Sequence, residues 1–275
     1  MKCRPIRQET PWCPNAAALS FRDVTSPLAY QTLGSGPGLV LVHATSSTGH
    51  GTWAPVLDGL DAEHTVVLPD LPGSGSSPLP VGPLDADVIA DQLAATATAA
   101  GLDTFAIAGA SLGAPLAAKV AARHPERVTH VVSVVGFAKA RLSLRLDLEI
   151  WASLLARKDD SIGKFLLSLT FSDAFLAGLS DAQVQQFSTM LAARPAVGTP
   201  AQIDLALRLD ARPDLARITA PTLVVLATED RHVRPAHSRE LAAGIKNARV
   251  VETPGGHGAM FEDPKTTLTA LLDFL

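Results

Sequence analysis

Within this chain of 275 residues, Gly109-Ala110-Ser111-Leu112-Gly113 is the stretch best suited to nucleophilic chemistry. A glycine two positions to either side of a serine lets two backbone segments approach around a side chain held in a strained turn. The apolar run 104–110 leads into this pentapeptide and the alanine-rich run 112–124 leads out of it, so Ser111 falls where a strand passes into a helix. A helix-capping serine in a glycine-rich turn would satisfy the pentapeptide equally well. The strand before it and the helix after it favour a nucleophile. A hydroxyl reacts poorly until a base takes its proton, so Ser111 calls for an imidazole and for a carboxylate to orient that imidazole.

Eight histidines are available as the base. His257 stands apart, in "TPGGHGAMFEDP", between the last strand-like run and the last helix-like run and among Gly255, Gly256 and Gly258. Such a loop can carry an imidazole to the carboxyl edge of an open α/β sheet, where ligands bind. His124 lies beside a proline at a helix end and reads as a surface residue, while His64 and His130 belong to strands. His232 and His237 flank the start of a helix, and His50 sits in a glycine-rich loop, near a site or simply exposed. For the acid, "LVVLATEDRHVRP" places Glu229 and Asp230 just beyond a strand. Asp230 is the choice and Glu229 the fallback, with an ordinary helix-capping acid as the plainer alternative.

These residues need a frame, and the frame is legible. Hydrophobic residues make up 47% of the chain and charged residues 18%, the balance of a globular protein with a substantial core. A formal net charge of −4 without a Lys/Arg run argues against nucleic acid or an anionic membrane as the main partner and leaves a small-molecule substrate. Cys3 and Cys13 lie in a proline-broken tail, which fits a reduced cytoplasmic setting. The first twenty residues lack a signal-peptide core, and no stretch reaches the roughly 18 to 20 apolar residues of a membrane span.

Short Val/Ile/Leu-rich runs at 38–44, 64–70, 104–110, 127–136, 221–228 and 248–253 predict strands covered on both faces. Runs 19–24 and 28–32 alternate and predict an antiparallel edge. Helices are expected at 52–60, 84–101, 112–124, 235–244 and 264–274. This alternation predicts an α/β fold with a mostly parallel, doubly wound sheet. From 137 to 210 the β-type runs stop and leucine-rich sequence takes over. Its "RLSLRLDLEI" (141–150) alternates as a strand does, but Leu, Arg, Asp and Glu are not β-branched, so it is assigned to helix. The expected division is a tail (1–17), a core (18–136 and 211–275) and a helical cap (137–210) over the carboxyl ends of the strands.

As a set, these segments resemble an α/β-hydrolase of the large single-domain family with a helical cap. Besides the nucleophile turn, "LVLVHATSSTGHGTW" resembles that family's strand, His-Gly and oxyanion loop, and "LPDLPGSGSS" its D-x-P-G-x-G-x-S turn. "ATEDRHVRP" resembles its acid loop, "GHGAMFEDP" its histidine loop, and "ARHPERV" occupies the usual place after the nucleophile helix. The order Ser111, Asp230, His257 matches the family's chain order. Two positions depart from the pattern, Ala44 and Ala227, each standing where a glycine is usual.

The resemblance implies that Ser111 attacks a carbonyl, that His257 serves as general base and then acid, and that Asp230 orients it. Thr45 and Leu112 would supply the backbone N–H groups of an oxyanion hole. His43 would brace that loop and Trp53 pack beneath it. The hydroxyls of Ser46, Ser47 and Thr48 would meet substrate oxygens or simply make a polar turn. No nucleotide-binding glycine pattern and no metal-ligand spacing occurs, so no cofactor is expected. The favoured function is hydrolysis of a lipophilic ester, lactone or thioester. Phe165, Phe171, Phe175 and Phe187 would line a greasy pocket or pack the cap's own core. Two other readings stay open: the same triad used for C–C cleavage, elimination, cyclisation or acyl transfer, and a ligand-binding protein with a residual triad. A nucleophilic aspartate is disfavoured, because the turn holds Ser111.

Overall fold

The computed structural model describes residues 26–193 and 196–275. The expected strand at 19–24 and the cysteine-bearing tail lie outside them. Seven strands form one sheet: β1 (Tyr30–Leu33), β2 (Gly38–Val42), β3 (Thr65–Pro69), β4 (Phe105–Ala110), β5 (Val128–Val134), β6 (Thr222–Ala227) and β7 (Arg249–Thr253). Their spatial order is β1-β3-β2-β4-β5-β6-β7. β1 runs antiparallel on β3, the edge anticipated from 28–32, and the remaining pairs are parallel.

Alternate residues of each central strand enter two separate cores, the pattern of a sheet covered on both faces. Val40, Val42 and Ile107 pack with Leu93 and Leu116. Leu39, Leu41 and Ala108 pack with Trp53, Leu60 and Leu271. The first face is covered by α2 (Ala86–Ala99), α3 (Gly113–Arg123), α9 (Arg212–Leu215) and α10 (Pro235–Gly244), and the second by α1 (Gly49–Leu60), α11 (Ala259–Glu262) and α12 (Pro264–Leu272). No helix among the described residues is long and apolar enough to cross a membrane.

Helix α1 begins three residues before the expected Thr52, because Thr48 caps it by accepting a hydrogen bond from the Gly51 N–H at 2.9 Å. The flat packing of Gly49 against Leu68 allows that early start, since a Cβ there would meet the Leu68 side chain at 2.8 Å.

Between β5 and β6 the chain forms α4 (Leu142–Arg157), α5 (Ile162–Thr170), α6 (Asp173–Ala177), α7 (Asp181–Ala192) and α8 (Thr199–Arg208). The chain leaves and returns through one short pairing: Lys139 bridges Asp210, and the Ala211 N–H donates to the Ala138 carbonyl at 2.9 Å. The misleading alternation of 141–150 resolves on a helix. Leu144 and Leu148 lie inward, whereas Leu142, Leu146 and Ile150, spaced four apart, form an outer stripe.

Candidate active site

Ser111, Asp230, His257, Thr45 and Leu112 all lie in the turns that follow the carboxyl ends of strands of the one sheet. β4 delivers Ser111 directly. Its φ of 52° is a strained value for a residue with a side chain. The turn survives only because its neighbours lack side chains: a Cβ on Gly109 would meet the Gly113 carbonyl oxygen at 2.1 Å, and one on Gly113 the Val42 oxygen at 2.4 Å. Val135, just past β5, also has positive φ, at 44°. For a β-branched residue that is an outlier of the kind that clusters around sites.

The loops after β6 and β7 bring the other two groups in. His257 Nε2 lies 3.1 Å from Ser111 Oγ, and its Nδ1 lies 2.7 Å from Asp230 Oδ2. The remaining oxygen of Asp230 accepts from the N–H groups of His232 (2.9 Å) and Val233 (2.8 Å). Only 1% of the Asp230 side chain is exposed, so its charge is held by N–H donors rather than by water. With Nδ1–H directed at a carboxylate, Nε2 is the acceptor facing the serine hydroxyl. Glu229, the fallback acid, takes no part in this chain of hydrogen bonds.

The loop after β2 faces Ser111 from the opposite side. His43 is fully buried. Its Nε2 accepts from the Leu71 N–H (2.8 Å), which leaves Nδ1–H to donate to the Ala44 carbonyl (2.7 Å). Burial lowers its pKa to about 4, so the ring is a neutral brace. Trp53 is wholly buried beneath and donates to the Val42 carbonyl at 3.3 Å. Ala44 and Ala227 keep negative φ, so the two substitutions for glycine carry no backbone strain. The backbone N–H groups of Thr45 and Leu112 have no hydrogen-bond partner among the described residues, and Thr45 lines the cavity.

That cavity has a volume of about 410 Å³. Ser111 and His257 lie at its base, and Trp151, Leu166, Leu169, Met190 and Leu191 come from α4, α5 and α7. The four phenylalanines suggested as lining do not reach it. Phe171 stacks on Phe175 at 4.5 Å and meets Phe187 at 6.0 Å, so these three pack the inserted helices among themselves, while Phe165 packs half-buried against the larger core. The loop hydroxyls are likewise engaged within the protein: Ser46 Oγ accepts from Thr199 and Ser47 Oγ from Thr52, each at 2.9 Å.

Three residues escaped the sequence reading, and a fourth, His232, was placed there only beside the start of a helix. Gln202, fully buried on α8, accepts from the Ser46 N–H (2.9 Å) and donates to the Pro72 carbonyl (3.1 Å) and Ser74 Oγ (2.9 Å). Thr199 joins it on Ser46. His232, two residues past Asp230, lines the cavity with its ring centre 5.1 Å from that of His257, and Asp147 of α4 stands beside it. For His232, proximity to Asp230 in the acid loop was the available signal. Nothing local marked the other three.

Comparison with known proteins agrees with this architecture. The alpha/beta hydrolase fold family matches residues 37–264. A pyrrolizixenacetamide deacetylase of Xenorhabdus hominickii is 29% identical over 90% of this chain and 94% of its own. A pimeloyl-[acyl-carrier protein] methyl ester esterase of Chromobacterium violaceum is 31% identical over 85% and 92%. Among solved structures, MGS-M2, an alpha/beta hydrolase enzyme from a Medee basin deep-sea metagenome library, superposes with a TM-score of 0.81 at 21% identity, covering 90% of this chain and 93% of its own. The chain therefore belongs to the alpha/beta hydrolase fold family and is a hydrolase of that fold.

Proposed function

We propose that this hydrolase cleaves carboxylic esters, lactones or thioesters of small to medium lipophilic substrates through an acyl-enzyme on Ser111. The observation that carries the reading is the unbroken hydrogen-bonded line Ser111–His257–Asp230 at the base of an apolar cavity. Ser111 Oγ attacks the carbonyl carbon while its proton passes to His257 Nε2. Buried Asp230 stabilises the resulting imidazolium. The N–H groups of Thr45 and Leu112 receive the oxyanion, and the N-terminal end of α3 adds its positive dipole. Collapse expels the alcohol or thiol, which takes the proton from His257. Water then attacks the acyl-enzyme with His257 again as base, releasing the acid and freeing Ser111.

The inserted helices (137–210) act as a cap that supplies the apolar wall and so the preference for lipophilic groups. The deacetylase and the methyl ester esterase among the relatives both carry names of acyl hydrolysis, which supports this class. A fluorophosphonate probe should label Ser111, and aryl butanoates should be turned over. Ser111→Ala should abolish both while the protein stays folded by circular dichroism. Undiminished turnover in that variant would refute the mechanism.

A further inference from the structure

A second imidazole in the cavity plays no part in the steps above. His232 is buried, and its Nδ1 faces Asp147 Oδ2 at 3.5 Å, across the boundary between the acid loop and α4. Neither atom has a hydrogen-bond partner among the described residues. These two buried atoms face each other, so a ligand has only the opposite ring nitrogen to meet, which is not among the atoms closed off without a partner. The carboxylate fixes the proton on Nδ1, and the opposite nitrogen, Nε2, carries a lone pair on a ring that lines the cavity. The other groups around the ring are His257, Trp151 at 6.4 Å and Asp230, which is already engaged with the His232 backbone N–H. Burial, and then the neighbouring His257, hold the His232 pKa below its ordinary value, against the upward pull of Asp147 and Asp230. A neutral ring offers an acceptor rather than a cation.

We propose that the Asp147–His232 pair is a recognition site for a hydrogen-bond donor, a hydroxyl or N–H, that the substrate carries a few bonds from its scissile carbonyl. The preferred substrates are then hydroxylated or N–H-bearing acyl compounds rather than plain alkyl esters. This rests on the acyl-hydrolase reading for the position of that carbonyl. A site built around a buried acceptor discriminates against an analogue that lacks the donor, because the acceptor is then desolvated without a partner.

The test compares p-nitrophenyl 2- and 3-hydroxybutanoate with their methoxy counterparts, which fill similar space without donating. Wild type should favour one hydroxy ester by about tenfold or more in kcat/KM. Asp147→Leu/His232→Leu, which removes both polar partners together, should bring that ratio to about one. His232→Gln, which keeps an acceptor near the position of Nε2, should retain part of the preference. An equal ratio in wild type and in the double variant would overturn the proposal.

A second readout needs neither turnover nor the double variant. In Ser111→Ala protein, long-range ¹H–¹⁵N spectra should show His232 as the neutral Nδ1–H tautomer. Its Nε2 signal should move with methyl 2- or 3-hydroxybutanoate and stay with the methoxy esters. An unmoved Nε2 overturns the site. Failure of Ser111→Ala to stop ester turnover overturns the acyl-hydrolase reading instead, and the spectra still decide on His232.

Discussion

Two loops flank Ser111, and they are held by opposite chemistry. The loop after β2, which would form the oxyanion hole, is pinned by neutral groups: the imidazole of His43, the amide of Gln202 and the hydroxyls of Thr52 and Thr199. The loop after β7, which carries His257, is pinned by carboxylates. Asp230 holds the ring, while Glu262 accepts from the Gly256 N–H at 2.9 Å and from the N–H and hydroxyl of Ser172 at 3.0 and 2.5 Å. Each loop is tied to the inserted helices as well as to the sheet, the first through α8 and the second through the α5–α6 junction, where the Gly258 N–H donates to the Thr170 carbonyl at 2.6 Å. The insertion therefore does more than wall the cavity. It fixes both sides of the site relative to each other, with dipoles on one side and charge on the other.

The largest effect should come from the charged side. Asp230→Asn preserves shape but removes the carboxylate that fixes the His257 tautomer, and kcat should fall by about 10⁴-fold. Steady-state rates on an aryl ester check this, and a loss under about tenfold would show that the charge is dispensable there.

Acid should strike the neutral side. The unfolded chain takes up a proton at His43 near 6.5, whereas the folded protein resists protonation until about 4. Stability is therefore complete above pH 6.5 and erodes as pH falls toward 4, by about 3 kcal/mol from this ring. Buried His232 works in the same direction. Urea melts at pH 7.0, 5.5 and 4.5 should show the decline, and a flat profile would mean that His43 is not buried as a neutral base.

Next in size is the amide tether. Gln202→Leu frees the Ser46 N–H and lets the loop that carries Thr45 relax, although Gln202 itself touches no reacting atom. Losing an oxyanion donor outright costs 10²- to 10³-fold. Loosening one should cost roughly 10- to 100-fold in kcat with KM within about twofold. A rise in KM alone would make Gln202 a wall residue rather than a positioning one.

What was legible in the sequence follows the same divide. The central strands announced themselves as Val/Ile/Leu runs because both faces are buried. The run 248–253, read the same way, is instead the edge strand β7, with Arg249, Val250 and Glu252 exposed. Ser111, Asp230 and His257 stood out because each occupies a turn of distinctive local composition. The structure places His257 within hydrogen-bond distance of both Ser111 and Asp230. Gln202 and Asp147 had no such signal. Gln202 meets Ser46 across 156 positions of sequence, and Asp147 sits in an alternating stretch whose inward residues emerge only once it is wound as a helix. Local motifs record Ser111, Asp230 and His257. The groups that hold them are recorded in three-dimensional packing.

The smallest effect sharpens the comparison most. Glu262→Gln removes charge from the His257 loop but need not break its network. Oε1, which serves the N–H groups of Gly256 and Ser172, survives in the amide. The new NH₂ replaces Oε2 opposite Ser172 Oγ, an oxygen that already accepts from the Phe175 N–H and keeps a lone pair to take a second donor. What is lost is the acceptor of the buried Ser172 O–H and the charge-assisted part of the two N–H bonds, about 1 to 2 kcal/mol together. We expect kcat within about threefold of wild type and a small drop in melting temperature, whereas Glu262→Ala, which strands three donors, should lose much more of both. A loss in Glu262→Gln as large as that of Glu262→Ala would mean that the negative charge itself organises the loop, and that the two sides of the site differ in mechanism as well as in composition.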